Sequence, residues 1–140
     1  MGKEPRGVRT RVRLSLLATV VGWAAAYLYF LLVQSLVWHR VTDRAAMLVW
    51  PALFAALGWI VAVLPISLFV KPESWLFAPS RAWAFGAVAG LAVFLALVGW
   101  WTPFWRSPWY LGFAIILGAV ACWVYSRALI RLGLRAPSAA

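Results

Sequence analysis

Acidic residues are nearly absent from this chain: Glu4, Asp43 and Glu73 are the only three. They lie on separate segments, so they cannot form the paired carboxylates of hydrolytic general acid–base chemistry. Histidine occurs only as His39 and cysteine only as Cys122. A single His excludes a bis-His haem within one chain, and one His with one Cys falls short of a zinc ligand set. A single Cys also excludes an intrachain disulfide. His39 retains one metal-related role, as an axial ligand to a metal, haem or chlorophyll centre completed by another subunit. The simpler reading is an interfacial His in a short polar loop with Arg40, Asp43 and Arg44. Cys122 reads as a small apolar packing residue. No phosphate loop, nucleophile elbow, CxxCH or HExxH occurs. These absences lead us to expect no catalytic residue, no metal and no cofactor of the protein's own. A membrane enzyme built on His39 and Asp43 is a third, residual reading.

Charge is also missing from four long apolar runs, Leu14–Trp38, Ala45–Val70, Ala82–Trp101 and Trp109–Ile130, apart from Arg127 near the end of the last. A hydrocarbon core roughly 30 Å thick needs about 20 apolar residues of helix to cross it. Every run meets that length. Hydrophobic residues make up 66% of the chain, against about 45–50% in a soluble domain, so a soluble fold of this size could not hide them. The expectation is an all-α, four-span transmembrane helical bundle. Residues 1–140 read as a single integral membrane domain with spans near 14–38, 45–70, 82–101 and 109–130. No Gly/Ser-rich or Pro-rich linker divides it.

The positive charge has a side. Lys3, Arg6, Arg9, Arg11, Arg13, Lys71, Arg81, Arg127, Arg131 and Arg135 share one face of a four-span protein; Arg40, Arg44 and Arg106 lie on the other. The positive-inside rule then puts both the N- and C-termini in the cytoplasm. The net charge of +10 suits anionic lipid headgroups rather than nucleic acid, because it flanks apolar spans instead of forming a stripe on a soluble domain. Arg127 is close enough to the span end to snorkel to the headgroups. The first run is too long for a cleaved signal, whose apolar region is about 7–15 residues, and reads as an uncleaved anchor. Arg over Lys, with much Ala and Trp, hints at a GC-rich bacterial genome and so at a bacterial cytoplasmic (inner) membrane.

Several patterns bear on contacts. Thr19, Trp23, Tyr27 and Gln34 fall within an arc of roughly 80° on the first span. They are expected to face other helices, as interhelical bonds or as polar contacts for a ligand. Pro51 and Pro65 in the second span predict a kink near each end. Between the second and third spans, Trp75 and Phe77 are expected in the headgroup layer, and Ser80 as the cap of the third span. Small residues recur every four positions at Ala82, Gly86 and Gly90, and again at Ala114, Gly118, Cys122 and Ser126. Such ridges let helix backbones approach closely, between these two spans or across a homodimer.

The densest local feature is the third loop. Trp100, Trp101, Phe104, Trp105, Trp109 and Tyr110 crowd together with Arg106, Pro103 and Pro108. An interfacial belt needs only one or two aromatics per helix end, and Trp38 and Trp50 should reach the same level. The loop therefore also reads as a docking surface, with Arg106 placed for cation–π contact. Two functions are expected from these patterns. The first is a non-enzymatic packing or assembly subunit of a larger membrane complex, or a homo-oligomer, with the bilayer and other membrane subunits or itself as partners. The second is a binder or carrier of an apolar ligand such as a lipid, quinone, carotenoid or other pigment. Tyr27, Gln34, Pro65, Trp100, Trp101, Phe104, Trp105, Arg106 and Trp109 are then the contact candidates.

Overall fold

The computed structural model describes residues 4–38, 44–98 and 108–134. Among the described residues all regular structure is helical and no strand occurs. Four helical stretches, Gly7–Leu36, Leu48–Phe69, Pro79–Val98 and Trp109–Arg131, are long and apolar enough to cross a membrane. That pattern marks an integral membrane protein, because a helix satisfies its backbone polar groups internally where hydrocarbon offers no partner.

The first span is α1, Glu4–Val33, closed by a π-helical turn at Gln34–Trp38. The helix begins well before the apolar run, so Arg9, Arg11 and Arg13 sit on helix. The second span is composite: α2 (Arg44–Gly58), a π turn at Trp59–Val63, and α3 (Leu64–Phe69). The two prolines differ in how the hydrogen-bond ladder accommodates them. Helix α2 runs through Pro51 without a break. Before Pro65, which has no N–H to donate, the ladder widens, and the Leu64 N–H bonds the Trp59 carbonyl five residues back.

A 3₁₀ turn, Trp75–Phe77, precedes α4 (Pro79–Val98), and α5 spans Pro108–Arg131. The start of α4 departs from expectation. The Arg81 and Ala82 N–H groups both bond the Ala78 carbonyl at 2.8 Å, so Pro79 takes the first helical position. Ser80 lies inside the first turn and is exposed. Helix α5 ends with Gly133 at φ 65°. There Leu134 N bonds Leu129 O at 3.0 Å and Gly133 N bonds Ile130 O at 3.0 Å. This is the paired closure that needs a left-handed residue, which glycine adopts without a Cβ clash.

Two long-range bonds define one end of the bundle. Arg11 Nη2 donates to the Val70 carbonyl at 2.7 Å, and Ser126 Oγ donates to the Phe77 carbonyl at 2.6 Å. The start of α1, the close of the second span, the 71–78 connection and the close of α5 therefore meet at this terminal end. Helix α5 lies between α1 and α4 and packs extensively on both. The second span touches α1 chiefly through its π turn and α3, and touches α4 only lightly. Toward the far end the core gathers Ala26, Phe30, Ala55, Phe113 and Leu117. Toward the terminal end it gathers Ala18, Phe77, Tyr125 and Leu129.

Candidate functional site: an apolar slot beside the second span

Close helix contact comes first, because it shapes everything beside it. Gly86 and Gly90 of α4 lie against Ala114, Gly118 and Cys122 of α5. A Cβ added to Gly86 would strike the Gly118 carbonyl oxygen, one on Gly118 would strike that of Gly86, and one on Gly90 would strike that of Ala114. The two backbones touch, as small residues at four-residue intervals permit. Helix α1 meets α5 the same way: a Cβ on Gly22 would come to 2.6 Å from the Leu117 carbonyl oxygen and 2.9 Å from the Ala121 Cβ.

This backbone contact leaves a shallow floor with few side chains. Over it stands the second span, held away from α4. Between them is a partly open cavity of about 80 Å³, lined by residues of both. A single water needs roughly 10–15 Å³, so the space is several times larger. Its floor is Gly86, Ala89, Gly90, Gly118, Ala121 and Cys122, and its wall is Trp59, Ala62, Val63 and Ile66. Aromatic rings stand at both ends. Phe54 closes the far end, fixed by edge-to-face ring contacts to Phe94 (5.5 Å between centroids) and Phe113 (6.5 Å). Phe77 closes the terminal end, edge-to-face with Tyr125 at 5.4 Å. Offset and edge-to-face geometries are the favoured ones for aromatic pairs.

The expectation for Phe77 needs correcting. It is 2% exposed and seated in the bundle, whereas Trp75, in the same turn, is 66% exposed. Their connection folds back onto the bundle because Ser126 holds the Phe77 carbonyl, and that bond turns one ring inward and the other out.

The slot is almost wholly apolar, and its hydroxyls are already engaged. Thr19 Oγ1 donates to the Ser15 carbonyl at 2.9 Å, and Ser67 Oγ to the Leu64 carbonyl at 2.8 Å, the usual local solution for a hydroxyl on a helix. Trp59 Nε1 donates out of the slot to Ser15 Oγ at 3.2 Å. The arrangement can hold an apolar group. It offers no acid–base pair to transform one. Among the described residues no group of three or more His, Cys, Asp or Glu could hold a metal.

The sequence candidates are distributed unevenly around this site. Gly86, Gly90, Gly118 and Cys122 form its floor, with Ala114 fully buried beside Gly90. Tyr27 is half-buried and stacks on Trp23 at 5.5 Å, away from the slot. Gln34 is buried in the π turn that ends α1, with its Nε2 unpaired, and does not line the slot. Pro65 and Trp109 are half-buried and also outside it. Trp100, Trp101, Phe104, Trp105, Arg106 and His39 lie outside the described residues.

Trp59 and Phe54 were not singled out by sequence reasoning, and Phe77 was read only as a headgroup-layer residue. Only their juxtaposition by the fold marks them. Gly22 did leave a signal, because Ala18, Gly22 and Ala26 repeat the four-residue spacing read on the third and fourth spans. No protein-family model, no curated protein and no solved structure matches the chain.

Proposed function

We propose that this is a non-catalytic membrane protein that holds a slender apolar chain, the tail of a lipid, quinone or carotenoid, in the slot between its second span and α4. The carrying observation is the slot's lining: a floor of small residues and an apolar wall with almost no polar surface, in a partly open cavity. Apolar cavities of this kind stay dry, and within a bilayer the surrounding solvent is hydrocarbon. Orientation with both termini in the cytoplasm of a bacterial inner membrane is part of the proposal, supported by the ten basic residues on one side against three on the other.

A diazirine-bearing fatty acyl probe, added to the full-length protein in nanodiscs, tests this reading. Photolysis should label Ala62, Ala89 or Val93 peptides, and Ala89→Phe, which fills the slot, should lower the yield at least fivefold. Labelling confined to the outer faces of the helices, unchanged by Ala89→Phe, would remove the reading.

The assembly-subunit reading draws on a different observation. The outer face of the second span presents Trp50 at 72% exposure and Phe69 at 85%, and a partner helix could cover it. Cross-linking in native membranes tests it, and a monomer with no cross-linked partner would count against it. The small-residue ridges give it no support, since α4 and α5 use them on each other.

A further inference from the structure

We infer that the far half of the second span, Arg44–Gly58, is a lateral gate that pivots about the π turn Trp59–Val63, with Phe54 as its latch. The inference rests on the reading of the slot as a binding site for its purpose, but its geometry stands apart from any ligand.

The span is hydrogen-bonded to α1 at its near end and pivot, while its far half meets α1, α4 and α5 through apolar contacts alone among the described side chains. On the terminal side of the pivot, Arg11 holds the Val70 carbonyl and Ser67 is buried. Ile66 and Val70 pack against the cluster of Ala18, Phe77, Tyr125 and Leu129. At the pivot itself, Trp59 is tied to Ser15. On the far side, no hydrogen bond joins the described side chains of Leu48–Gly58 to a neighbouring helix. Ala55 is buried there, and Phe54 makes the ring contacts to Phe94 and Phe113. These are apolar contacts that separate without leaving a buried polar group unpaired. The described side chains of the far half, Leu48–Gly58, can therefore leave the bundle without stranding a donor or acceptor, whereas the near half cannot.

The segment between the halves has the features of a pivot. It is a π turn with a widened hydrogen-bond ladder and no buried residue. Gly58 precedes it, and Pro65, which donates no N–H, follows it. Interruptions of this type are where helices bend. Movement of Arg44–Gly58 away from α4 would uncover the glycine floor to the bilayer, and return would seat Phe54 between Phe94 and Phe113 again.

Pulsed electron–electron distance measurements on the full-length protein in nanodiscs test the gate. In a Cys122→Ala background, one spin-label pair is placed at Leu53→Cys and Leu95→Cys across the far half. A reference pair is placed at Leu68→Cys and Trp83→Cys across the near half. The far pair should show a second, longer distance population absent from the reference pair. Phe54→Ala should increase that population at least threefold. Gly58→Ala should reduce it at least twofold, since the added Cβ meets only the Val93 Cγ1, at 3.7 Å, and stiffens the pivot without a clash. A far pair as narrow as the reference pair, unchanged by Gly58→Ala in a variant that retains its helical content, overturns the gate even if Phe54→Ala does not fold. Acyl-probe labelling is scored separately. Two distance populations without labelling keep the gate and remove the slot's proposed role. Labelling with a single narrow distance does the reverse.

Discussion

Gly86 and Gly118 face each other across the α4–α5 interface with no side chain between them, so that a Cβ on either would strike the other's carbonyl oxygen. Because both floor the slot, one contact sets both the helix spacing and the depth of the cavity.

Gly118→Val should push α4 and α5 apart. Overpacking in a close-packed interior costs typically about 1–3 kcal/mol, and more when backbone must move. The midpoint of thermal unfolding in mild detergent, followed by tryptophan fluorescence, should fall clearly. The oligomeric state should not change, because this ridge is internal. A change from dimer to monomer without loss of stability would reassign the ridge to an intermolecular contact.

Arg11 and Val70 join the first span to the second. Arg11→Ala should destabilise by about 1–2 kcal/mol, toward the lower part of the range for hydrogen bonds made by charged groups, because the side chain is only half-buried. Arg11→Lys should retain part of the bond and fall between the two. Arg11→Ala with the stability of the parent would show that this contact is incidental.

The Trp59–Ser15 bond is suited to a double-mutant cycle. Trp59→Phe and Ser15→Ala should each be destabilising, with a coupling of about 0.6 kcal/mol and no more than about 1.7. Additive losses would mean that the indole and hydroxyl do not interact within the bilayer.

Phe77 and Cys122 can be probed together. Phe77→Ala opens the terminal end of the slot and should cost about 3–5 kcal/mol in line with other large core truncations. It should also speed alkylation of Cys122 by a membrane-permeant maleimide by an order of magnitude. Phe77→Leu keeps most of the plug, so alkylation should stay near the parent rate. Equal rates in all three proteins would show that Phe77 does not close the slot.

Much of the frame was legible from residues alone. The lack of charge in the four runs dictated helices of spanning length, since hydrocarbon leaves backbone groups no other partner. The four-residue spacing of Gly86, Gly90, Ala114, Gly118 and Cys122 marked surfaces where backbones can touch. The polar stripe of the first span was a weaker guide. Thr19 and Gln34 are buried, but Trp23 and Tyr27 are half-buried, and the central seam instead follows Ser15, Ala18, Gly22, Ala26 and Phe30. Small and hydroxyl residues lie on that seam because bulk, more than polarity, limits how near α5 can come.

Membrane residence, the lengths of the spans and the ridges that pack them follow from local composition and period, which each segment carries by itself. The slot does not. Its floor comes from α4 and α5, its wall from the second span, and its two ends from Phe54 and from Phe77 in a connecting turn. Those residues are remote in sequence and have no common motif. Tertiary structure alone brought them together, because the glycine contact drew α4 onto α5 while Arg11 and Trp59 fastened the second span to α1, leaving an unfilled space between the two pairs.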